Sequence, residues 1–312
     1  QADLIADNYY RKFADLCRQR GIKSYTEPYG PSNGPFDELE VGALVDEPMG
    51  EFWIRQAGAQ WGWSLKLASS IAHIWNKPAV GAETFTGRPN DSKWQEYPYA
   101  TKAIGDLMYT FGLTRYIFHR YAHQPHPDAV PGMTMGQWGF HFDRTNTWFE
   151  KSGPWLKYIA RAQHMLRQGQ FVADILYLNG ESAPAEMPNS DNPTKEPLSP
   201  LPPEGHDYDV IDPKAFLERV RVEGGRIVVQ GGMSYRVLVL QPRQGMSVPL
   251  ARKLQQLVEG GMCLVGAPPS YSLGLVNAQG NDADLGRAVA AIWGAGKEPE
   301  RTVGQGRVFR DR

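Results

Sequence analysis

Glu83 closes a short apolar run and opens a turn, in Lys77-Pro78-Ala79-Val80-Gly81-Ala82-Glu83-Thr84-Phe85-Thr86-Gly87. A strand that delivers an acidic side chain at its C-terminal end, and then breaks, is how (β/α) barrels present catalytic groups. The same arrangement is expected at Glu27 (Ile22 to Gly30), at Asp46, Glu47 and Glu51 (Val41 to Trp53), and at His119 (Arg115 to Gln124). Glu51 runs into Phe52 and Trp53, and Glu83 into Phe85. Glycoside hydrolysis needs two carboxylates, one to protonate the leaving oxygen and one to activate water or attack the sugar. Aromatic rings beside them suit the C–H faces of sugars. A single glutamate serves equally well as a helix cap or a surface ion partner, but three at successive strand ends favour an active-site face.

Two further clusters carry polar rings. In Tyr116-Ile117-Phe118-His119-Arg120-Tyr121-Ala122-His123-Gln124, strand alternation puts His119, Tyr121 and His123 on one face, where they would meet sugar hydroxyls. Zinc is a weaker reading, because no cysteine and no H-E-x-x-H motif accompanies them. In Trp138-Gly139-Phe140-His141-Phe142-Asp143-Arg144-Thr145-Asn146-Thr147-Trp148, Asp143 and Arg144 sit between two tryptophans. That segment either lines a subsite or closes the barrel as a structural loop.

The elements that must hold these groups alternate. Helical spacing over Asn8 to Arg20 stops at Gly21, and a strand follows over Ile22 to Glu27. Val41 to Glu51 reads as a second strand, Gln60 to Trp75 as an apolar helix, and the Glu83 segment as a third strand. Tyr99 to Phe111 is a helix, Arg115 to Tyr121 a strand and Trp155 to Arg167 a helix. Repeated βα units imply a parallel sheet. About four strands are present where a (β/α)8 barrel has eight, so residues 1–170 read as the C-terminal half of a catalytic barrel. Eight of the nine tryptophans precede residue 156. From Phe171 a new pattern begins: a buried strand to Leu178, an exposed Pro- and Ser-rich loop over 183–205, and a strand over Asp207 to Ile211. Further strands follow over Arg226 to Gln230, Arg236 to Leu240 and Met262 to Gly266, with helices over Pro213 to Val220 and Val248 to Glu259. Residues 171–312 are expected to form a flavodoxin-like (glutamine-amidotransferase-like) three-layer α/β accessory domain. It has no G-x-G-x-x-G, Walker lysine or nucleophile elbow.

The 312 residues carry a net charge of −1, which argues against a nucleic-acid partner. There is no apolar run long enough to span a membrane. Cys17 and Cys263 read as unpaired buried thiols. The first residues lack the pattern of a signal peptide and read as the middle of a helix, from which a longer protein is expected.

Several of these segments resemble glycoside hydrolase family 106. They are Glu27-Pro28-Tyr29-Gly30, Met49-Gly50-Glu51-Phe52-Trp53, Gly81-Ala82-Glu83-Thr84-Phe85-Thr86 and His119-Arg120-Tyr121-Ala122-His123-Gln124-Pro125, with Pro131-Gly132-Met133-Thr134-Met135-Gly136 and Asp143-Arg144-Thr145-Asn146-Thr147-Trp148. Gly205-His206-Asp207-Tyr208-Asp209 and Gly232-Met233-Ser234-Tyr235-Arg236-Val237-Leu238-Val239-Leu240 extend the resemblance to the second part. It implies an inverting, calcium-dependent α-L-rhamnosidase acting on rhamnose-containing oligo- or polysaccharides. Glu83 is then similar to the family's general base and Glu51 to an acidic neighbour, with calcium held by Glu51 and Glu83. His119, Tyr121, His123, Trp53, Asp143, Arg144 and Trp148 would meet the substrate, with Trp138 as another stacking surface. The family's general acid lies on an earlier strand without a counterpart here. A secreted or periplasmic address follows from the substrate class. Alternatives are another barrel glycosidase, such as a β-galactosidase relative, or a non-catalytic carbohydrate-binding protein.

Overall fold

The computed structural model describes residues 1–29, 34–55, 62–130, 132–133, 138–189, 196–274 and 276–310. The chain enters as a helical segment made of α1 (Ala2–Ile5), a π-helical turn (Ala6–Arg11) and α2 (Lys12–Gln19), which ends before Gly21 at φ +68°. The strand expected over Ile22 to Glu27 is only β1 (Tyr25–Thr26).

The expected strand from Val41 is a helix instead, α3 (Glu38–Leu44). Asp37 caps it, its carboxylate accepting from the backbone N–H of Leu39 at 2.8 Å and of Glu40 at 3.1 Å. A capping aspartate with Glu40 three residues later is a helix-start signal that outweighs the apolar run Val41 to Val45. Strand β2 (Glu47–Trp53) begins after it. Asp46 and Glu47 therefore stand at the entry of β2, opposite to the end that carries Glu51. Buried Glu47 is paired with Lys23 and Arg115, and Asp46 accepts from Ser24, so both are structural anchors.

Helix α4 (Gly62–Trp75), β3 (Gly81–Thr86), the short α5 (Pro89–Ser92), α6 (Pro98–Thr110), β4 (Arg115–Phe118) and α7 (Gly153–Leu166) follow. Strands β1 to β4 form a sheet in chain order, every neighbour parallel. Register places Glu51 beside Glu83 and Glu83 beside Ile117. Alternation then sends Phe52 and Ala82 to the other face, where they pack with Leu65, Met108 and Phe140.

The rest of the chain supplies β5 (Ile175–Leu178), β6 (Tyr208–Ile211), α8 (Pro213–Arg219), β7 (Val220–Glu223), β8 (Arg226–Val229), β9 (Ser234–Tyr235), β10 (Val237–Leu240), β11 (Gly245–Met246), α9 (Val248–Glu259), β12 (Cys263–Val265), β13 (Tyr271–Ser272), α10 (Ala278–Trp293), β14 (Glu300–Val303) and β15 (Gly306–Phe309). Six of these strands form a second sheet in the order β14-β15-β12-β10-β5-β6, parallel except for β14 against β15. Strands β7, β8 and β9 make a small antiparallel sheet, and Gly231-Gly232 turns the chain from β8 into β9.

One face of the second sheet (Leu176, Leu178, Leu238, Leu240) packs with Phe216, Leu254 and Ile292 of α8, α9 and α10. The other (Ile175, Tyr177, Val210, Val239) packs with Leu39 of α3 and with Leu67 and Ile71 of α4. Hence α4 lies between the two sheets and is buried almost all round, as a helix apolar on every side must be. The core crosses residue 170. Its polar positions are paired across that layer. Lys66 reaches Asp207 at 2.7 Å, while fully buried Asp209 accepts from Ser70 at 3.1 Å, contacts His73 Nδ1 at 2.9 Å and accepts from Tyr235 at 2.8 Å. The loop expected to be exposed over 183–205 instead buries Met187, Asn189 and Leu198, because Met187 and Leu198 pack on the same sheet face as Tyr177 and Val210. Both cysteines are free, Cys17 buried and Cys263 half-buried. Among the described residues no helix is long and apolar enough to cross a membrane.

Candidate active site

Glu27 follows β1 directly, and Glu51 and Glu83 lie side by side on β2 and β3. One carboxylate oxygen from each falls within 4.8 Å of the others, all three residues being half-buried. Glu27 and Glu83 open on a cavity of about 290 Å³ lined also by Tyr25, Met49, Ile117 and His119. The sheet is held to this geometry from behind: Ser64 Oγ accepts from the Glu51 backbone N–H at 3.1 Å and donates to its carbonyl at 2.9 Å.

Burial and neighbouring negative charge raise the proton affinity of a carboxylate. Glu27 is pushed up to about 8, first by burial and then by the charges of Glu51 and Glu83. Burial also raises Glu51, against the opposing hydrogen bonds of Trp53 and Tyr29. Trp53 Nε1 donates to Glu51 at 2.9 Å. The Tyr29 hydroxyl is raised by burial and then by Glu27, which keeps it neutral and a donor. Glu83 accepts from Thr86 Oγ1 and faces His119 Nδ1 at 3.9 Å.

The cluster fits a hard cation. Its ligands are all carboxylate oxygens, and Glu27 Oε1 is buried with no hydrogen-bond partner of its own. Two oxygens on one calcium, each at about 2.4 Å, stand at most about 5 Å apart, which matches the observed cluster. The absence of thiolate or imidazole from the three disfavours zinc.

The other expected site residues divide. Trp53 belongs to the cluster through Glu51 and meets Trp138 edge-on at 5.8 Å between ring centroids. His119 stands against Glu83. The common face expected for His119, Tyr121 and His123 is not formed, because β4 ends at Phe118 and strand alternation ends with it. Tyr121 and His123 are exposed on the following loop. Asp143 is buried and turns back on its own chain, accepting from the Thr145 N–H at 2.9 Å and its hydroxyl at 2.5 Å. Arg144 ties the Pro127 and His126 carbonyls at 2.8 Å each. Trp148 packs with Phe140, Phe142 and Trp155 and donates to the Glu96 carbonyl at 2.8 Å. These three hold a loop together. Of the Pro131 to Gly136 segment only Gly132 and Met133 are among the described residues. Tyr29, which sequence reasoning left without a role, had a signal: it lies two residues past Glu27 at a strand end.

A profile of glycoside hydrolase family 106, described as alpha-L-rhamnosidase, matches residues 1–312. The chain belongs to that family. A solved relative of this glycoside hydrolase 106 chain, the rhamnosidase from Novosphingobium sp. PP1Y, superposes with a TM-score of 0.88 at 29% identity, over 99% of this chain and 29% of that one. A Formosa agariphila protein bearing the provisional name beta-glucuronidase is 38% identical over 301 residues, which is 96% of this chain and 24% of that protein. The glycoside hydrolase 106 chain thus spans less than a third of either relative.

Proposed function

We propose that residues 1–312 carry part of the active site of an inverting α-L-rhamnosidase that removes terminal rhamnose from glycans. The observation that carries this reading is the Glu27–Glu51–Glu83 cluster, gathered across β1, β2 and β3, in a chain of this family. Glu83 lies within β3 rather than at its expected end, because the strand pairs on to Thr86. The four parallel strands are then the second half of a (β/α)8 barrel, spanning residues 1–170. Residues 171–312 are a flavodoxin-like accessory domain, a reading supported by the second-first-third-fourth order of β6, β5, β10 and β12.

Glu83 acts as the general base, withdrawing a proton from water on the ring face opposite the leaving group. Thr86 orients its carboxylate and His119 lies beside it, positioned to meet a sugar hydroxyl. An inverting pair stands roughly 6.5–9.5 Å apart to admit that water. Glu27 and Glu51 are too close to Glu83 for the part, so we place the general acid outside residues 1–312. Calcium would be held by Glu51 and Glu83, with Glu27 as the third ligand. Bound there, calcium supplies a hard Lewis acid that fixes vicinal hydroxyls of the sugar. Trp53, hydrogen-bonded to Glu51 and in edge contact with Trp138, would offer a ring to the sugar. A secreted or periplasmic address follows from the substrate.

The name of the Formosa relative raises a β-glucuronidase as a second reading. The description of the family profile that matches the whole chain, alpha-L-rhamnosidase, favours the rhamnoside over the glucuronide.

The test is hydrolysis of aryl α-L-rhamnoside and aryl β-D-glucuronide by a full-length protein containing residues 1–312, beside Glu83→Gln, with calcium and with chelator. Rhamnoside turnover that falls by about 10²–10⁴ in the variant and needs calcium is the expected result. Turnover of the glucuronide alone, or full activity in the variant, overturns it.

A further inference from the structure

Trp94 lies outside the acidic cluster, and nothing above gives it a role. Its indole stacks on the His141 imidazole with ring centroids 3.6 Å apart and planes within 1°. His141 is buried, yet 44% of Trp94 is exposed, so one face of the indole is backed and the other is open. Burial, and then the charge of Arg120, pushes His141 down to about 4, leaving a neutral ring beneath the indole. Arg120 holds that ring from below, with Nη2 3.3 Å from His141 Nδ1 and Nε donating to the Trp138 carbonyl at 2.8 Å.

The backbone is bent to make this display. Lys93, Trp94 and His141 have φ of 48°, 61° and 49°, left-handed values that strain a non-glycine residue. Buried Glu96 anchors the loop, accepting from Arg55 Nε at 2.5 Å, while its carbonyl accepts from Trp148. Arg55 lies two residues beyond Trp53, and the Gly139 N–H donates to the Gly87 carbonyl just past β3 at 3.0 Å. Trp94 is therefore presented on the same end of the sheet as Glu51 and Glu83. The backing pair also connects to the cluster, because Arg120 adjoins His119.

We propose that the open face of Trp94 is a stacking platform for a sugar ring on the leaving-group side of the cleaved bond. A flat indole fixed from behind gives up little freedom when a pyranose settles on it. The cluster takes the terminal sugar, and the platform selects for the glycan that bears it. This inference rests on the rhamnosidase reading for the identity of the terminal sugar.

The experiment compares methyl α-L-rhamnoside with a rhamnosyl-oligosaccharide of neutral sugars, using the full-length protein, Trp94→Ala and Trp94→Tyr. For Trp94→Ala, we expect a loss in kcat/KM at least about tenfold larger on the oligosaccharide than on the methyl glycoside, residing mainly in KM, with recovery in Trp94→Tyr. Equal losses on both substrates, or none on either, overturn the platform. Calorimetric titration of the oligosaccharide reads the platform without turnover. If the wild type cleaves neither substrate, the rhamnosidase reading fails, and this titration still decides: binding weakened about tenfold by Trp94→Ala supports the platform. Absent binding, or binding indifferent to Trp94, overturns it.

Discussion

His119 owes its place beside Glu83 to a glycine. Gly139 has φ +92°, and a Cβ there would lie 2.9 Å from the His119 carbonyl oxygen and 3.0 Å from its Nδ1. Gly139→Ala therefore both strains its own backbone and pushes the imidazole from Glu83. We expect a stability loss of about 1–2 kcal/mol, seen in thermal melts, together with a larger fall in kcat/KM than the melt explains. Activity equal to wild type would show that the position of His119 is immaterial. The carboxylates make the same point in electrostatic form. Glu27 differs from an ordinary glutamate because burial and two neighbouring charges raise it, and no feature of its local sequence does so.

Strand β2 and helix α4 touch at their backbones. A Cβ on Gly50 would stand 2.7 Å from the Ser64 carbonyl carbon and 2.8 Å from its oxygen, and backbone atoms cannot swing aside. This close approach brings the Ser64 hydroxyl onto the Glu51 backbone and so fixes the strand that carries its carboxylate. Gly50→Ala should cost about 1–3 kcal/mol, the usual penalty of overpacking. A melting temperature within a degree of wild type would mean that α4 shifts freely. Sequence patterning identified α4, α6, α7 and α9 and the strand bearing Glu83, all with clear periodicity and terminal signals. It misplaced residues 41–44, read as the start of a strand, where a short helix and a buried strand share the same apolar content. It also carried β4 past Phe118 into a loop, because alternating residue types continue after the pairing stops.

The two sheets meet on α4, and fully buried Asp209 is a polar link between them. Burial alone would raise this carboxyl, but His73, Lys66 and Tyr235 outweigh it and hold it below the usual carboxylate range. A lowered folded-state value means that the stabilisation is present above the unfolded value of about 4 and is lost as pH falls through the folded one. Asp209→Asn should destabilise the protein by about 3 kcal/mol at pH 7, since His73, Ser70 and Tyr235 lose a buried charged partner. Denaturant titrations of wild type and variant should converge as the pH drops below 4. A gap that persists unchanged into acid would assign the loss to packing rather than to charge. Because the core runs through α4, the variant should loosen both sheets in one transition.

Residue type and spacing alone placed acids and aromatics at successive chain reversals, set the βα alternation and made Glu83 the residue to watch. These features are local, written in hydrophobic period, caps and turns within about ten residues. Three decisions belong to the tertiary structure. Parallel register set Glu51 beside Glu83, and the adjoining β1 carried Glu27 to them, so that three separate glutamates became one cluster. Packing around the second sheet took its third layer from α3 and α4, far away in the chain. Loop folding laid Trp94 on His141, 47 positions apart in the sequence and with no shared pattern. Each depends on contacts between distant residues, whose energies come from burial and pairing that no short stretch of sequence contains.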